Sequence, residues 1–364
     1  MKTVLKSFSK LNLSLRVFQI QANGLHPISS IFQEISLHDL ISISVKPSTS
    51  PSLHLTSSGI PIPLNQSNIL VSLFESIKDK LNHDYEIHLH KNIPTGSGMG
   101  GASSNAACVL NYMIEIESLS MSTNDVVTLA HSIGSDIPFF IHGEQQHVLN
   151  TGETCTPLSN STASSYVIIY PAISCSTPQI YQHFDTLNPK APIYNEATDS
   201  LNRNDLLPVV LDLYPDMKHI YDNISALLKR PVHLTGSGST FFVPLTNPEN
   251  QTEILNALHA AFPSYLIQAV NTIKRPSYYR VTVSGTVQGV FYRASTQKKA
   301  QELSISGWVK NDNDGCVSMC ISGSESACRA MIDWCHIGPK HADVEHVDVK
   351  AYPLVMANSE FEIR

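Results

Sequence analysis

What this 364-residue sequence lacks already excludes several classes of function. Its seven cysteines form no Cys-x-x-Cys pair and its sixteen histidines form no His-Glu-x-x-His motif, so we expect no metal site built from them. No apolar run reaches transmembrane length, and residues 3–15 already have the pattern of a strand. We therefore expect no membrane partner and no signal or transit peptide. Basic runs are absent and the net charge is −7, which argues against nucleic acid as a partner.

The composition is that of a globular protein with more than one domain. Hydrophobic residues make up 42% and charged residues 15% of the chain, which is typical of folded and not of disordered proteins. The length predicts two or three domains. An odd number of scattered cysteines favours a reducing compartment, and we expect the cytoplasm.

The most informative segment is the glycine-rich stretch 94–107, Pro-Thr-Gly-Ser-Gly-Met-Gly-Gly-Ala-Ser-Ser-Asn-Ala-Ala. Glycines allow several backbone N–H groups to turn toward one point. The residues after them favour a helix beginning at Ser103 or Ser104, whose N-terminus would add unpaired N–H groups and a positive dipole end. Together these features predict a phosphate-binding loop.

Other interpretations of the loop remain open at this point. It could be a plain turn between a strand and a helix. The pattern Gly96-x-Gly98-x-x-Gly101 also matches the dinucleotide-binding fingerprint, but the next segment has the pattern of a helix, whereas that fingerprint belongs to a βαβ unit. A P-loop would require a lysine at the end of the stretch, and none is present.

Periodicity gives the rest of the organisation. Alternation over 84–91 predicts a half-buried strand, and apolar stretches broken by Ser and Pro over 37–68 predict hairpins with long turns. Residues 272–277 have the composition of a linker. Beyond it the pattern restarts as βαββαβ, with a helix over about 294–303 and a last strand over 344–351, which predicts a separate ferredoxin-like domain.

Four blocks in chain order resemble the GHMP kinases over about residues 5–245. The blocks are Ser-Lys-Leu-Asn-Leu at 9–13, the loop 94–107, Gly-Ser-Asp-Ile-Pro-Phe-Phe at 134–140 and Leu-Thr-Gly-Ser-Gly at 234–238. Within that family the chain is most similar to kinases that act on a cytidyl diphosphate sugar alcohol in non-mevalonate isoprenoid synthesis. The resemblance implies a ribosomal-S5-like half, expected at 1–155, and a ferredoxin-like half, expected at 156–271, with the active site between them.

The resemblance also implies roles for individual residues. Asp136 would accept the proton of the attacking hydroxyl, and Lys10 would hold that carboxylate ionised and add positive charge near the phosphoryl group. Taken singly, Asp136 is better explained as a helix cap or a turn residue before Pro138, and Lys10 as a solvated strand lysine. The residues expected to bind ATP are Pro94, Gly96, Ser97, Gly98, Met99, Gly100, Gly101, Ser103 and Ser104.

The acceptor site is expected around His26, Thr177 and Tyr181, which fall where the family contacts the cytidine half of its substrate. Leu25 stands where the family usually has an aromatic residue that stacks on cytosine, which predicts loose binding of the base. Asn150 stands where a glycine usually opens a turn. The residues expected to bind the acceptor are Asn12, Leu25, His26, Thr177, Tyr181, Gly236 and Gly238.

Residues 278–364 resemble acylphosphatase over nearly their full length. The similar segments are Gly-Thr-Val-Gln-Gly-Val-Phe-Tyr-Arg at 285–293, Gly-Trp-Val-Lys-Asn at 307–311, Asp314-Gly315 and Gly338-Pro339. The resemblance implies that Arg293 and backbone N–H groups grip the phosphoryl group, while Asn311 orients the attacking water. A stable carboxylate leaving group needs neither metal nor cofactor. The residues expected to bind the acyl phosphate are Gln288, Gly289, Val290, Phe291, Tyr292 and Arg293.

The sequence therefore predicts an α+β fusion of two enzymes, a GHMP kinase followed by a ferredoxin-like βαββαβ acylphosphatase domain. Its ligands would be small molecules: ATP, with magnesium carried by ATP, a cytidyl diphosphate sugar alcohol and an acyl phosphate. One alternative is a GHMP kinase for another alcohol, such as mevalonate or homoserine. Another is a nucleotide-binding module that no longer turns over and regulates the acylphosphatase. Retention of both Lys10 and Asp136 argues against that second alternative. The oligomeric state stays open.

Overall fold

The computed structural model describes residues 2–158, 164–188, 203–245, 250–351 and 360–364. The chain divides into two compact units. The larger unit consists of Ser7–Ile41 and Lys46–Ile273, and the smaller unit consists of Met1–Lys6, Ser42–Val45 and Lys274–Arg364.

A six-stranded sheet and four helices occupy the first part of the chain. The strands are β1 (Lys2–Val17), β2 (Ile28–Pro47), β3 (Leu53–Gly59), β4 (His83–Lys91), β5 (Gln145–Asn150) and β6 (Thr154–Pro157). Their order is β3-β4-β2-β5-β6, with β1 beside β2. The helices are α1 (Ile69–Ile77), α2 (Gly101–Ile116), α3 (Thr123–Ile133) and α4 (Ile137–His142). The alternation predicted for 84–91 is observed in β4, where Tyr85, Ile87 and Leu89 are buried.

Two expectations for this region are wrong. Helix α2 begins at Gly101 instead of Ser103 or Ser104, because Gly100 in the left-handed conformation, with φ of 68°, is its N-cap. Residues 37–68 form no hairpin between β2 and β3: β3 pairs in parallel with β4, with Leu53 opposite Tyr85. A parallel pair requires a long crossover connection, and α1 supplies it.

A four-stranded antiparallel sheet follows in the larger unit. Its strands are β7 (Ser165–Tyr170), β8 (His233–Leu234), β9 (Phe241–Leu245) and β10 (Leu266–Asn271), in the order β10-β7-β9-β8. Its helices are α5 (Thr177–Leu187), α6 (Leu207–Leu213), α7 (Pro215–Leu228) and α8 (Gln251–Ala261). One buried cluster contains Leu11 of the first sheet, Ile168 and Phe242 of the second sheet, and Met99 of the glycine loop. The loop is therefore anchored in a core that both sheets share.

The smaller unit contains the elements βαββαβ, as the sequence predicts. They are β11 (Ser277–Thr286), α9 (Tyr292–Glu302), β12 (Ser306–Asn311), β13 (Val317–Gly323), α10 (Glu325–Cys335) and β14 (Asp343–Ala351). An additional strand, β15 (Phe361–Ile363), was not expected; it pairs in parallel with β12. The sheet order is β14-β11-β13-β12-β15. Its core includes Val281, Val283 and Met331, which are fully buried.

Candidate active sites

The first cavity, of about 380 Å³, lies in the larger unit. It is lined by residues of two glycine loops, the loop 94–107 and the segment 234–238. Of the residues predicted for the kinase site, those that line it are Lys10, Asn12, Gly96, Gly98, Gly100, Ser103, Asp136, Thr177, Tyr181, Gly236 and Gly238. Residues separated by more than two hundred positions thus converge on one space. Lys10 and Asp136 are the charged side chains among those that line it.

Lys10 and Asp136 form an ion pair at the wall of this cavity. Lys10 Nζ lies 3.7 Å from Asp136 Oδ2 and donates a hydrogen bond to Asn12 Oδ1. It also lies 4.6 Å from the centre of the Phe32 ring, an attractive cation–π position. The lysine side chain is 4% exposed and the aspartate 32%. Burial lowers the pKa of Lys10, and the neighbouring Asp136 carboxylate opposes that shift.

Asp136 occupies the N-cap position of α4 without acting as a cap. Its side chain makes no capping hydrogen bond, and Pro138 follows in the first turn of the helix. The helix-cap explanation of Asp136 therefore does not hold. The carboxylate is a cavity group, held beside the ammonium of Lys10.

Two hydrogen bonds accepted by backbone carbonyls of the glycine loop join it to the segment 234–240. Thr240 N–H donates to Ser97 O at 3.2 Å, and the Thr235 hydroxyl donates to Gly98 O at 3.3 Å. Gly98 has φ of +77°, and a Cβ there would collide with the carbonyl oxygen of Thr235 and lie 2.9 Å from that of Gly238. Only glycine fits this close approach of backbone to backbone.

Five residues predicted for the ATP site do not line the cavity: Pro94, Ser97, Met99, Gly101 and Ser104. Met99 is fully buried in the shared core. The Ser104 hydroxyl bonds to the Ser7 hydroxyl at 2.7 Å, and its N–H donates to Gly100 O at 2.9 Å within the helix. These residues shape the loop, and the cavity is lined by its alternate glycines and Ser103.

A buried ion pair that the sequence reasoning missed supports the loop. Lys91 Nζ bonds to Asp39 Oδ2, and the side chains are 3% and 0% exposed. Asp39 also accepts from Ile93 N–H at 2.8 Å and from Asn105 Nδ2 at 2.9 Å, so it joins the entry of the loop to α2. A Cβ at Gly101 would lie 2.8 Å from Lys91 Nζ. Burial lowers the pKa of Lys91, and Asp39 opposes that shift.

A second cavity, of about 530 Å³, adjoins the first and also lies in the larger unit. Ile28, Ser135, Thr151, Thr177 and Tyr181 line both. Leu25 and His26 line the second cavity alone, so the structure brings four of the predicted acceptor residues together there. Asn12, Gly236 and Gly238, predicted for the same role, line the first cavity instead.

The His26 ring is fixed on several sides. Its Nδ1 lies 2.8 Å from Phe18 O and its Nε2 lies 3.3 Å from Asp185 Oδ2. Its face stacks on Tyr181, with ring centroids 5.2 Å apart and an interplanar angle of 29°. Leu25 beside it is 51% exposed and open to the cavity.

Sequence reasoning missed Asp185, Ser135 and Thr151 as cavity residues. A signal for Asp185 was present: with Thr177 and Tyr181 it forms an i, i+4, i+8 series on α5, so the three share one helix face. Ser135 and Gly152, the neighbour of Thr151, pack closely, since a Cβ at Gly152 would collide with Ser135 O. No local sequence pattern predicts that contact.

The second predicted site lies in the smaller unit, in the loop between β11 and α9. Gln288 Nε2 donates to Asp312 O at 2.9 Å and to Cys316 O at 2.8 Å. This ties the loop to the turn that follows Asn311, the last residue of β12. Arg293 lies in the first turn of α9, directly after the loop.

Two side chains of this loop pack in the core of the smaller unit, and a third is exposed. The Tyr292 hydroxyl donates to Cys335 O at 2.8 Å and the residue is 2% exposed, while Val290 packs against the core. Phe291 has φ of +62° as the N-cap of α9 and is 79% exposed. Gly289 has open space around it, as expected where a ligand approaches backbone N–H groups.

Neither site contains a cluster of metal-ligating side chains. Within the described ranges, no group of three or more His, Cys, Asp and Glu side chains could hold a metal ion. None of the helices in that part of the chain is long and apolar enough to cross a membrane. None of the seven cysteines, all of which lie in the described ranges, forms a disulfide bond.

Comparisons with known proteins agree with this geometry. The family described as GHMP kinases N terminal domain matches residues 68–144, and the family Acylphosphatase matches residues 279–363. The 4-diphosphocytidyl-2-C-methyl-D-erythritol kinase of Persephonella marina is 32% identical over 262 residues, covering 69% of this chain and 93% of that protein. The kinase of the same name from Desulfotalea psychrophila is 31% identical, over 64% of this chain and 82% of that protein.

A solved structure shows the fold. The crystal structure of a 4-(cytidine 5'-diphospho)-2C-methyl-D-erythritol kinase aligns with a TM-score of 0.58 at 24% identity, over 74% of this chain and 99% of that one. The predicted α+β class, a GHMP kinase fold followed by a ferredoxin-like acylphosphatase domain, is confirmed. The chain belongs to the 4-diphosphocytidyl-2-C-methyl-D-erythritol kinase family and carries an acylphosphatase domain at its C-terminal end.

Proposed function

We propose that this chain is a bifunctional enzyme. Its larger unit transfers the γ-phosphoryl group of ATP to a hydroxyl of 4-diphosphocytidyl-2-C-methyl-D-erythritol, and its smaller unit hydrolyses acyl phosphates. The observation that carries the kinase proposal is the Lys10–Asp136 pair, 3.7 Å apart, in a cavity that has the glycine loop on one wall and adjoins the His26 cavity. Nucleotide, acceptor hydroxyl and proton acceptor can thus meet in one place.

In the proposed transfer, the acceptor hydroxyl oxygen attacks the γ-phosphorus while the bond to the ADP oxygen breaks. Asp136 takes the hydroxyl proton. Lys10 orients the carboxylate and places positive charge beside the oxygens on which negative charge develops. Because Lys10 is anchored by Asn12 and Phe32, this charge is already in position before substrate binds.

The two cavities divide the substrates between them. Backbone N–H groups of the loop 96–103 and the N-terminus of α2 would face the phosphates of ATP. The cytidyl part of the acceptor would enter the second cavity, beside Leu25, His26 and Tyr181. Magnesium enters with ATP as part of the substrate, because its preferred oxygen ligands include the phosphates themselves.

In the smaller unit, Arg293 and the N–H groups of 288–293 would hold the phosphoryl group of an acyl phosphate. Asn311 would orient the water that attacks phosphorus, and the acyl carboxylate would leave without needing a proton. The support is that Gln288 holds this loop against the turn after Asn311. We place the domain boundary in the segment 272–277.

We also propose that the protein acts on small-molecule ligands in the cytoplasm. Seven cysteines without a disulfide bond among them support a reducing compartment.

One assay tests both activities. ADP release is measured with 4-diphosphocytidyl-2-C-methyl-D-erythritol, mevalonate and homoserine as acceptors, beside hydrolysis of acetyl phosphate. We expect kcat/KM with the cytidyl acceptor to exceed the others by at least about 100-fold. Faster turnover of another alcohol would replace the acceptor. ADP release with none, in a preparation that hydrolyses acetyl phosphate, would favour the regulatory-module alternative.

A further inference from the structure

The two most exposed large apolar side chains in the described part of the chain lie in the smaller unit. Phe291 is 79% exposed and Ile337 is 73% exposed, whereas Leu25, the next in order, is 51% exposed. A single exposed apolar side chain is ordinary on a protein surface, but several gathered at one place mark a binding surface. These two side chains therefore indicate a binding surface if the fold brings them together.

Sheet pairing brings both residues to the same end of the domain. Strand β11 ends at Thr286, which lies opposite Asp343, the first residue of β14. The loop that follows β11 contains Phe291, and the loop that precedes β14 contains Ile337. The two loops therefore leave the sheet side by side, at the end where the phosphoryl group is proposed to bind.

Packing around Tyr292 joins these two loops. Gly338 approaches the Tyr292 ring so closely that a Cβ there would lie 2.8 Å from a ring carbon. The Tyr292 hydroxyl donates to Cys335 O at 2.8 Å, which holds the end of α10 against the same side chain. Phe291 precedes Tyr292 and Ile337 precedes Gly338 in the chain, so the two exposed side chains flank one buried contact.

The backbone holds Phe291 in a conformation that serves no packing purpose. Its φ of +62° is uncommon for a bulky residue, and such strain gathers at ligand-binding sites. Its ring gains nothing from burial, since most of its surface faces solvent. A ligand bound at this loop would supply the apolar surface that the ring lacks.

The chemistry of an acyl phosphate supplies that surface. When the loop 288–293 holds the phosphoryl group, the acyl group must extend away from phosphorus, along the border of the site. We propose that Phe291 and Ile337 form an apolar rim that receives the acyl group, so that the domain prefers acyl phosphates with an apolar chain of several carbons. The inference rests on the proposed acylphosphatase function and names its substrate class.

The apolar rim would bind the leaving group of the reaction. Water oxygen attacks phosphorus, the bond from phosphorus to the bridging oxygen breaks, and that oxygen leaves with the acyl group as a carboxylate. Neither side chain of the rim takes part in the proton transfer. Contact with the chain is the same in the bound and transition states, so it acts mainly on KM.

The experiment measures phosphate release from hexanoyl phosphate and from acetyl phosphate by the full-length chain. Ile337→Ser removes one side of the rim, and Phe291→Asn removes the other with a residue that tolerates positive φ. The matched control is Ile363→Ser. Ile363 is a 43% exposed isoleucine on β15, at the edge of the sheet opposite β14.

We expect wild-type kcat/KM for hexanoyl phosphate to exceed that for acetyl phosphate at least about tenfold, chiefly through KM. Ile337→Ser should lower this preference at least about threefold and keep kcat/KM for acetyl phosphate within about twofold. Phe291→Asn should lower the preference as well, and Ile363→Ser should keep it. Equal wild-type values for the two substrates, or a preference that neither rim variant lowers, would overturn the inference.

A binding measurement separates this inference from the proposed function. Titration calorimetry compares 2-oxoheptylphosphonate and 2-oxopropylphosphonate, in which a methylene group replaces the bridging oxygen of hexanoyl and acetyl phosphate. If wild type binds the longer analogue more tightly and Ile337→Ser loses the difference, the inference stands even when no acyl phosphate is hydrolysed. Equal affinity for both analogues, or no binding of the longer one, overturns it even when acetyl phosphate is hydrolysed.

Discussion

At the scale of single residues, the proposed kinase site gives two tasks to two side chains, Lys10 and Asp136. Lys10 is almost fully buried and held by Asn12 and Phe32, so its charge has a fixed position. Asp136 is about one-third exposed and reaches the cavity where a hydroxyl would enter. A fixed cation and an accessible base are what phosphoryl transfer to an alcohol requires.

Asp136→Asn tests the base. The amide keeps the shape of the side chain but cannot accept a proton, so kcat should fall by about two to four orders of magnitude while KM for both substrates changes little. Acetyl phosphate hydrolysis by the same preparation is the internal control, because its site lies in the smaller unit. A variant with near-normal kcat would show that the proton goes elsewhere.

Leu25→Tyr tests the departure from the family pattern. Leu25 is 51% exposed at the second cavity, and aromatic stacking on a base is worth about 1–3 kcal/mol, of which leucine supplies only part. Stacking acts equally on the bound and transition states, so KM for the cytidyl acceptor should fall about fivefold or more with kcat nearly unchanged. A flat or higher KM would mean that residue 25 does not face the base.

The residues that sequence could supply are those inside recognisable blocks. Lys10, Asp136 and the glycines belong to short patterns whose order along the chain matched a family. Asp39 and Lys91 do not, since a buried ion pair 52 positions apart leaves no mark in local periodicity. Asp185 lies in between: its spacing from Tyr181 was visible, but an acidic residue at the end of an amphipathic helix is most simply a solvent-exposed one.

At the scale of elements, the site depends on how closely two loops approach. Gly98→Ala and Gly96→Ala make a matched pair, because both glycines have positive φ but only a Cβ at Gly98 meets backbone atoms; at Gly96 nothing lies within 4 Å. Gly96→Ala should cost about 1–2 kcal/mol of conformational strain. Gly98→Ala adds a collision that no rotamer relieves.

Heat inactivation of the kinase measures the difference between these two variants. The midpoint temperature should fall further for Gly98→Ala than for Gly96→Ala by several degrees, since about 1 kcal/mol corresponds to about 2–4 °C in a domain of this size. Acetyl phosphate hydrolysis followed in the same samples should keep its wild-type midpoint. Equal midpoints for the two variants would show that the loops do not brace each other.

The type of an element was more predictable from the sequence than the strand beside which it lies. Two elements carry local sequence patterns: Ser122 and Asp125 form a capping box at the start of α3, and Asp314-Gly315 lies in the turn between the antiparallel strands β12 and β13. The pairing of β3 with β4 was not predictable, because apolar periodicity states that a strand has a buried face and not which strand lies beside it. The three residues of β15 are too few to carry a pattern.

At the scale of the whole molecule, two sites in separate compact units predict activities that can be removed one at a time. Arg293→Ala and Asn311→Ala should each abolish acetyl phosphate hydrolysis and leave ADP release intact.

A fragment of residues 276–364 should fold and hydrolyse acetyl phosphate alone. The smaller unit also includes Met1–Lys6 and Ser42–Val45, and we expect their loss to lower the melting temperature of the fragment. An unfolded fragment, or loss of kinase turnover in either variant, would contradict independence.

Because Lys10 is buried, we expect the kinase and acylphosphatase activities to respond differently to high pH. Burial lowers the pKa of Lys10, so the free enzyme loses that proton at a lower pH than an ordinary lysine does. Below that pH the cation is present, and above it the kinase site loses its positive charge. None of the residues predicted to hold the acyl phosphate is a lysine. Raising the pH should therefore reduce kinase kcat/KM first, so that one polypeptide, with its sites in fixed one-to-one stoichiometry, changes the ratio of its two rates with the acidity of its surroundings.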